Sequence, residues 1–481
     1  MKKNILTIMA FAMILVLVFQ SFNHIYAFKD SGGIYGIQVF YKQNSNVNDI
    51  IFVGSSNIFE DVNTGVLWEE YGMASFDLGG SLQPMWNSYY YIKEALKTQS
   101  PKLIVLDLLG VLETEDYLKE SRIIRNTYGM KFSRDKIDAI KVSSPKEQWN
   151  DYIWEFPTYH SRYKELGVED FLPNRGIANM ETWKGFVINT ATTPCEKPDN
   201  FQTEKTGKLS DKTETYLRKI CQLCEEKRVK LLLIKTPNVS TDTDINATMK
   251  YNEAAEIGKE YGASFINFNY FYDEIGLDLN TDMGDSTHLN YRGNVKFTRY
   301  LAEYLREKYE LPDRRGQEGY EEYDIMAMDC RVRTENAWVH DIYEIQDFLK
   351  EIQKENYIII YVVSGNWKEA NNYEYIKTEF EKYGINLDAA DRSEVWKAEN
   401  GEIVQFSEMT TEGTWYRELA PYKSLQISRI EDGYSVIFNK AEQTRVKEGI
   451  NVIVYDTITE TVVDTVGFSI VDGSIQTIKQ R

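Results

Sequence analysis

Two lysines, Lys2 and Lys3, precede an uncharged apolar run from Ile5 to about Phe22. The run is long enough to span a bilayer or to form the core of a signal peptide, and the lysines orient it so that everything beyond lies outside the cytoplasm. Cleavage after Ala27 would favour a small residue where Ile25 stands, so residues 1–27 read as a retained anchor ahead of the alternative, a signal peptide whose removal leaves the protein secreted. From about Asn48 to Tyr309 the pattern changes to short apolar β-type runs alternating with helical periodicity. It predicts strands at Ile50 to Val53, Ser75 to Leu78, Leu103 to Leu108, Lys230 to Ile234 and Ser264 to Asn267. Helical patterns include Trp86 to Thr98, Tyr251 to Tyr261 and Asn294 to Arg306. Such alternation reads as an α/β domain over 28–310, a parallel sheet covered on both faces, with ligands at the carboxyl ends of its strands.

The rhythm breaks between about Glu113 and Gln202, a stretch rich in Tyr, Trp and charge that reads as an insertion near the mouth of the site. At Leu311 to Gly319 (LPDRRGQEG), Pro, Gly and mixed charge read as a linker. Beyond it, residues 311–481 read as a β-rich domain, with strands at Tyr357 to Val363, Tyr434 to Phe438, Asn451 to Tyr455 and Thr461 to Ser469 and a helix around Ile342 to Gln353.

Composition narrows the function. A chain of 481 residues calls for more than one domain, and 42% hydrophobic with 27% charged residues is a folded composition. Acidic residues outnumber basic ones by 74 to 55, and the net charge of −19 argues against a nucleic-acid footprint and disfavours anionic lipid surfaces. Four cysteines make no disulfide framework; Cys221 and Cys224 form a CxxC inside an amphipathic helical pattern, without a second pair or a histidine at zinc spacing. No metal or cofactor is implied.

Two segments carry candidate chemistry. In DIIFVGSSNIF (Asp49 to Phe59) a strand ends at Gly54 and hands over to a helix start through Ser55 and Ser56. A hydroxyl presented there has a cleft before it and backbone N–H groups beside it; Gly-Ser-Ser after a strand is also what an ordinary turn or N-cap needs. In DMGDSTHLNYRGN, Asp285 and His288 are three apart in a loop leading into a helix, so a carboxylate can hold an imidazole whose other nitrogen faces the cleft. The chain has four histidines, and His24 sits beside the apolar run, which narrows the choice of base.

Together these segments resemble the SGNH/GDSL hydrolase superfamily, whose first block is Gly-x-Ser after the first strand and whose last is Asp-x-x-His before the final helix. Gly54-Ser55-Ser56 and Asp285-Ser286-Thr287-His288 match in order, and the resemblance covers roughly Asn48 to Tyr309. It implies a flavodoxin-like three-layer sheet, Ser56 as nucleophile with Asp285 and His288 completing a triad, and Ser55 in place of the usual aspartate. The oxyanion block falls at Asp77 to Ser81, making Gly79, Gly80 and Ser81 candidate oxyanion or substrate residues, with Leu82 where strict register expects glycine. The third block falls at Gly110 to Glu113, with Leu112 replacing the asparagine; loss of such a donor costs about 3 kcal/mol of transition-state stabilisation.

GSSN, LWEEYG and LGGSLQPMWNSYYYIKEALK are similar to the membrane-anchored branch that includes the D-alanyl transfer protein of teichoic acids and the alginate O-acetylation proteins. That resemblance implies an extracytoplasmic serine esterase or O-acyltransferase acting on acyl groups, acetyl above all, of a surface or secreted polysaccharide. A transferase would work beside a membrane-bound partner that delivers the acyl group.

Three weaker readings complete the picture. His160 and Arg162, in FPTYHSRYKEL, are candidates for a substrate wall or for a packed pair; Thr236 and Asn238 either line the cleft or make the turn after a strand. The C-terminal region resembles ILEI-type β-sandwich domains found in glycan-binding stems, and aromatic residues at 13% permit a carbohydrate-binding role. The competing class is a non-catalytic glycan-binding or assembly protein that keeps the fold; a third reading is thiol-disulfide chemistry at Cys221 and Cys224.

Overall fold

The computed structural model describes residues 2–29, 32–171, 183–240, 243–365, 367–387, 393–431 and 433–479. Side chains at 2–7, 19–20, 23–24, 156–157, 160–161 and 168–169 lie outside that description. The chain forms two compact units, residues 1–330 and 331–481.

The first unit begins with helix α1 (Lys2–Tyr26). Its apolar side chains between Ile8 and Val18 stand more than half exposed. Among the described residues, no helix is long and apolar enough to cross a membrane.

The sheet follows from runs such as Ile50-Ile51-Phe52-Val53, whose branched and aromatic side chains suit a strand buried on both faces. Strands β1 (Ile50–Gly54), β2 (Ser75–Gly79), β3 (Leu103–Asp107), β4 (Lys230–Lys235) and β5 (Ser264–Asn267) pair in the order 2-1-3-4-5. Every pairing is parallel. This is the flavodoxin-like order. Helices α2 (Ser56–Asp61), α3 (Met85–Ala95), α4 (Asp211–Lys227), α5 (Ile245–Glu260) and α6 (Tyr291–Lys308) cover it. Ile51, Val53, Ile104 and Leu106 pack on α3, α4 and α5 through Trp86, Tyr91, Leu217 and Tyr251. The alternate residues Phe52, Val105 and Leu232 pack on the opposite face with Ile58 of α2 and Phe297, Leu301 and Leu305 of α6.

Between β3 and α4 the insertion folds into short helices, among them Glu120–Thr127, Arg134–Ser143 and Trp149–Trp154. Cys221 and Cys224 sit on the buried face of α4, unbonded, and burial pushes both thiols up to about 12. Neither is a nucleophile at neutral pH.

The stretch read as a linker is part of this unit. Arg314 forks onto Asp49 through Nε at 2.7 Å and Nη2 at 2.9 Å, and Tyr320 and Tyr323 lie against Trp68 with ring centroids at 5.9 and 4.8 Å. A bidentate arginine pair and aromatic packing fix residues whose composition alone reads as solvated. The unit therefore runs past the expected boundary at 310 to Cys330, inside a helix, Glu321–His340, that the sequence reading did not find.

One β2 residue is at odds with its surroundings. Asp77 is fully buried, neither carboxylate oxygen has a hydrogen-bond partner, and burial holds its pKa well above the usual range. The unfolded chain releases this proton near pH 4 and the folded one far later, so Asp77 lowers stability increasingly as pH rises above about 4. Asp77→Asn should be more stable than the natural chain by about 1–3 kcal/mol in urea unfolding at pH 7. The difference should vanish toward pH 4; an advantage independent of pH would contradict this account.

The second unit is built on β6 (Tyr357–Ser364), buried along its whole length. A six-stranded sheet runs β15-β14-β13-β6-β7-β8, and a four-stranded sheet runs β12-β11-β10-β9. Their strands are Glu394–Glu399, Glu402–Gln405, Thr414–Ala420, Lys423–Ile430, Gly433–Phe438, Ala441–Glu442, Gly449–Asp456, Thr461–Val471 and Ser474–Ile478, β7 to β15 in that order. All pairings are antiparallel. Ile358, Ile360 and Val362 of β6 pack with Leu425, Ile427 and Val436 of the smaller sheet. Its alternate residues Ile359, Tyr361 and Val363 pack with Phe348, Leu349, Ile376 and Phe380 from helices Ile345–Glu351 and Tyr373–Glu381.

Candidate active site

At the carboxyl end of β1, Gly54 leads into the one-and-a-half turns of α2. Ser55 is the N-cap: its Oγ accepts from the Asn57 N–H at 3.4 Å and lies within donating distance of Asn57 Oδ1 (3.1 Å) and Asp107 Oδ2 (3.3 Å). Ser56 is the first helical residue, 8% exposed. The cap therefore fixes the turn on which the Ser56 hydroxyl is displayed.

Some 230 residues further on, the loop from Met283 to Leu289 closes on itself through a bridge between those two residues and a Gly284 N–H to His288 O bond of 2.9 Å. Asp285 Oδ1 accepts from the N–H groups of Thr287 (2.7 Å) and His288 (3.0 Å). Asp285 Oδ2 lies 2.9 Å from His288 Nδ1. On the other side of the ring, Nε2 lies 2.7 Å from Ser56 Oγ. Hydroxyl, imidazole and carboxylate thus stand in line at hydrogen-bond distances. Asn290 caps α6, accepting from Arg292 N (3.0 Å) and Gly293 N (3.2 Å), while its amide donates to Thr281 O at 2.8 Å and ties the loop to the helix start.

The electrostatics favour a charged imidazole. Burial works against it, but Asp61, Glu60 and Asp285 outweigh that and raise the His288 pKa above its ordinary value. For Asp285, burial raises the pKa, and the bonds from His288 and the Thr287 N–H more than offset it, so the carboxyl is held below its usual range.

The remaining predicted residues divide sharply. Gly79 ends β2 in register with Gly54, and a Cβ there would lie 2.9 Å from Ser55 O and 3.1 Å from Gly54 O, so glycine permits close approach to the turn that leads to Ser56. The N–H groups of Gly80 and Ser81 are already bonded, to Gly54 O (3.1 Å) and Gly32 O (2.6 Å), so neither is free to donate to an oxyanion. Leu82 has φ 49°, the left-handed conformation that glycine favours, which is what the register reading expects of that position. The Leu82 turn is held by Arg122 Nη2 donating to Leu82 O (2.7 Å) and Asn126 Nδ2 donating to Ser81 O (3.1 Å). Leu112 lies on a short 3-10 turn after β3 and, being apolar, supplies no side-chain donor.

Arg162 bonds to the end of α1 and not to a substrate wall: Nη1 donates to Tyr26 O at 3.1 Å and also to Ala27 O, and Nη2 meets Asp170 at 3.1 Å. A cation there satisfies the last carbonyls of a helix. The side chain of His160 lies outside the described residues. Thr236 and Asn238 are fully buried and make the turn after β4. Asn238 O accepts from Tyr272 OH, and the neighbouring Val239 N–H donates to Ser286 O at 2.9 Å, so this turn braces the loop that carries Asp285 and His288.

Two groups of residues went unnoticed in the sequence. Asn57, Glu60 and Asp61 of α2 face the loop that carries Asp285 and His288; their only sequence signal was proximity to Ser56. The return of the insertion, from Val187 to Cys195, joins both halves of the site. Val187 N donates to Phe59 O (2.7 Å), Thr193 N to Met283 O (2.9 Å), Cys195 N to Leu279 O (2.9 Å), and Asn189 O accepts from Tyr291 N (2.8 Å). Asn189 Nδ2 also donates to Glu60 Oε2 at 3.0 Å.

No protein-family model matches the chain, and no curated protein does. Among solved structures, it is similar to the acetylxylan esterase Axe2 of Geobacillus stearothermophilus, at 14% identity and a TM-score of 0.27, over 56% of this chain and 97% of that one. A catalytic mutant of the same esterase aligns at 11% identity and a TM-score of 0.28, over the same shares. A Bacteroides fragilis protein with a provisional acylhydrolase assignment aligns at 10% identity and a TM-score of 0.27, over 57% of this chain and 94% of that one.

Proposed function

We propose that this chain is a serine esterase or O-acyltransferase of the SGNH type, acting outside the cytoplasm on acyl groups, acetyl above all, of a polysaccharide. The observation that carries the reading is the 2.7 Å contact between Ser56 Oγ and His288 Nε2, with Asp285 on the far ring nitrogen. His288 takes the Ser56 proton as Oγ attacks the ester carbonyl; collapse of the tetrahedral adduct returns that proton to the leaving alcohol and leaves an acyl-serine. Water as second acceptor makes an esterase, and a glycan hydroxyl makes a transferase. The exposed apolar helix α1 supports an N-terminal membrane anchor. In the transferase case the acyl group comes from a membrane-bound partner. The second unit, on the strength of its sequence resemblance to ILEI-type domains, would hold the enzyme on its polymer.

A fluorophosphonate probe tests the core of this proposal. Phosphonylation should map to Ser56 and disappear in His288→Ala. A folded chain that takes up no probe would instead favour the non-catalytic glycan-binding reading, to which the loss of the third-block asparagine at Leu112 points.

A further inference from the structure

Asp61 lies outside the triad yet touches the backbone on which the base is carried. It ends α2 and is fully buried. Its Oδ1 accepts from the N–H of Leu289, immediately after the base, at 2.8 Å. Its Oδ2 accepts from Asn57 Nδ2 at 3.1 Å, and the same amide donates to the carbonyl of Thr287, immediately before the base, at 2.6 Å. His288 is therefore bracketed on both sides by bonds to the short helix that begins with Ser56. Both carboxylate oxygens accept N–H donors, the arrangement of an ionised carboxylate.

We infer that Asp61 is a positioning residue with two tasks, fastening the catalytic loop to the nucleophile helix and keeping a negative charge behind His288. The base faces Asp285 from its own loop and Glu60 and Asp61 from α2; Asp61 in turn faces Lys235 at the end of β4. Glu60 is fixed by Asn189, and the Cys195 thiol lies in the field of Asp285. A carboxylate in a site closed to water acts on a nearby imidazole far more strongly than one at the surface. Burial pushes the Asp61 carboxyl up to about 7, with His288 and the Leu289 N–H pulling the other way, so its negative charge is complete only on the alkaline side of neutrality. Asp61 stabilises the imidazolium that forms when the Ser56 proton is taken, a task that Asp285, with its side chain 53% exposed, performs under greater screening.

The kinetic readout rests on the acyl-transfer reading above; the spectroscopic one does not. Full-length protein in detergent, with Asp61→Asn and Asn57→Ala variants, is followed by NMR titration of His288 and by the pH dependence of kcat/KM on p-nitrophenyl acetate. Asp61→Asn should move the His288 midpoint down by about 1 pH unit or more, and the ascending limb with it. Asn57→Ala keeps the charge, so its midpoint should stay in place while kcat falls about 10-fold from misplacement of the loop. Should two facing amides prevent folding, Asn57→Ala/Asp61→Asn removes the clash and is compared with Asn57→Ala alone. An unmoved His288 midpoint in a folded variant lacking the Asp61 charge overturns the proposal. Absence of esterase activity in the natural chain would sink the acyl-transfer reading while leaving the titration to decide this one.

Discussion

Ser56→Ala, His288→Ala and the double variant are each expected to lower kcat on an activated acetyl ester by about 10⁴-fold or more, and by nearly the same factor. The reason is geometric. With Oγ and Nε2 sharing one proton across 2.7 Å, removing either partner removes the step itself, and removing the second adds nothing. If the two losses multiply in the double variant, the residues do not act as one unit and the acyl-serine route fails. Residual activity in all three would measure what substrate binding alone contributes.

Gly54→Ala is expected to lower stability by about 1–3 kcal/mol in chemical unfolding and to reduce Ser56 phosphonylation even in the fraction that remains folded. An added Cβ would lie 2.7 Å from the Asp107 Cβ and 3.0 Å from the Ile58 Cγ1. Asp107 cannot retreat easily: it is fully buried and its Oδ2 accepts from the Leu109 N–H at 3.1 Å and lies 3.3 Å from the Ser55 hydroxyl. The strain therefore passes into the Ser55 cap and from there to Ser56. A folded Gly54→Ala chain that reacts with the probe at the natural rate would show that the turn tolerates the shift.

The parallel sheet was legible because its strands are short apolar runs of branched residues, and all five predicted in the first domain pair as strands in the structure. The pairing of Ser56 with Asp285 and His288 was legible only through a resemblance, Gly54-Ser55-Ser56 and Asp285-Ser286-Thr287-His288 standing in the order of the SGNH/GDSL blocks. What remained hidden is of two kinds. Asn57 and Asp61 show no local pattern, because four-residue spacing of polar side chains on a short helix reads as a solvated face until the loop that buries it is known. Helix Glu321–His340 buries Tyr323, Met326, Ala327 and Cys330 at its start and Val339 near its end, amid charges that blur the apolar stripe. Arg162 was open between a substrate wall and a packed pair, and its ion pair with Asp170 and its bonds to the carbonyls of Tyr26 and Ala27 follow the packed reading.

The return from Val187 to Cys195 bears on any attempt to trim the protein. Excising the excursion after β3 to obtain a minimal sheet-and-helix catalyst would strip partners from Phe59, Leu279, Met283 and Tyr291 in a single cut. Main-chain groups so orphaned draw in water or rearrange. What looks like an ornament on the scaffold is the brace that ties the Ser56 helix to the Asp285–His288 loop, and a pared-down version would need a replacement strap to keep them together.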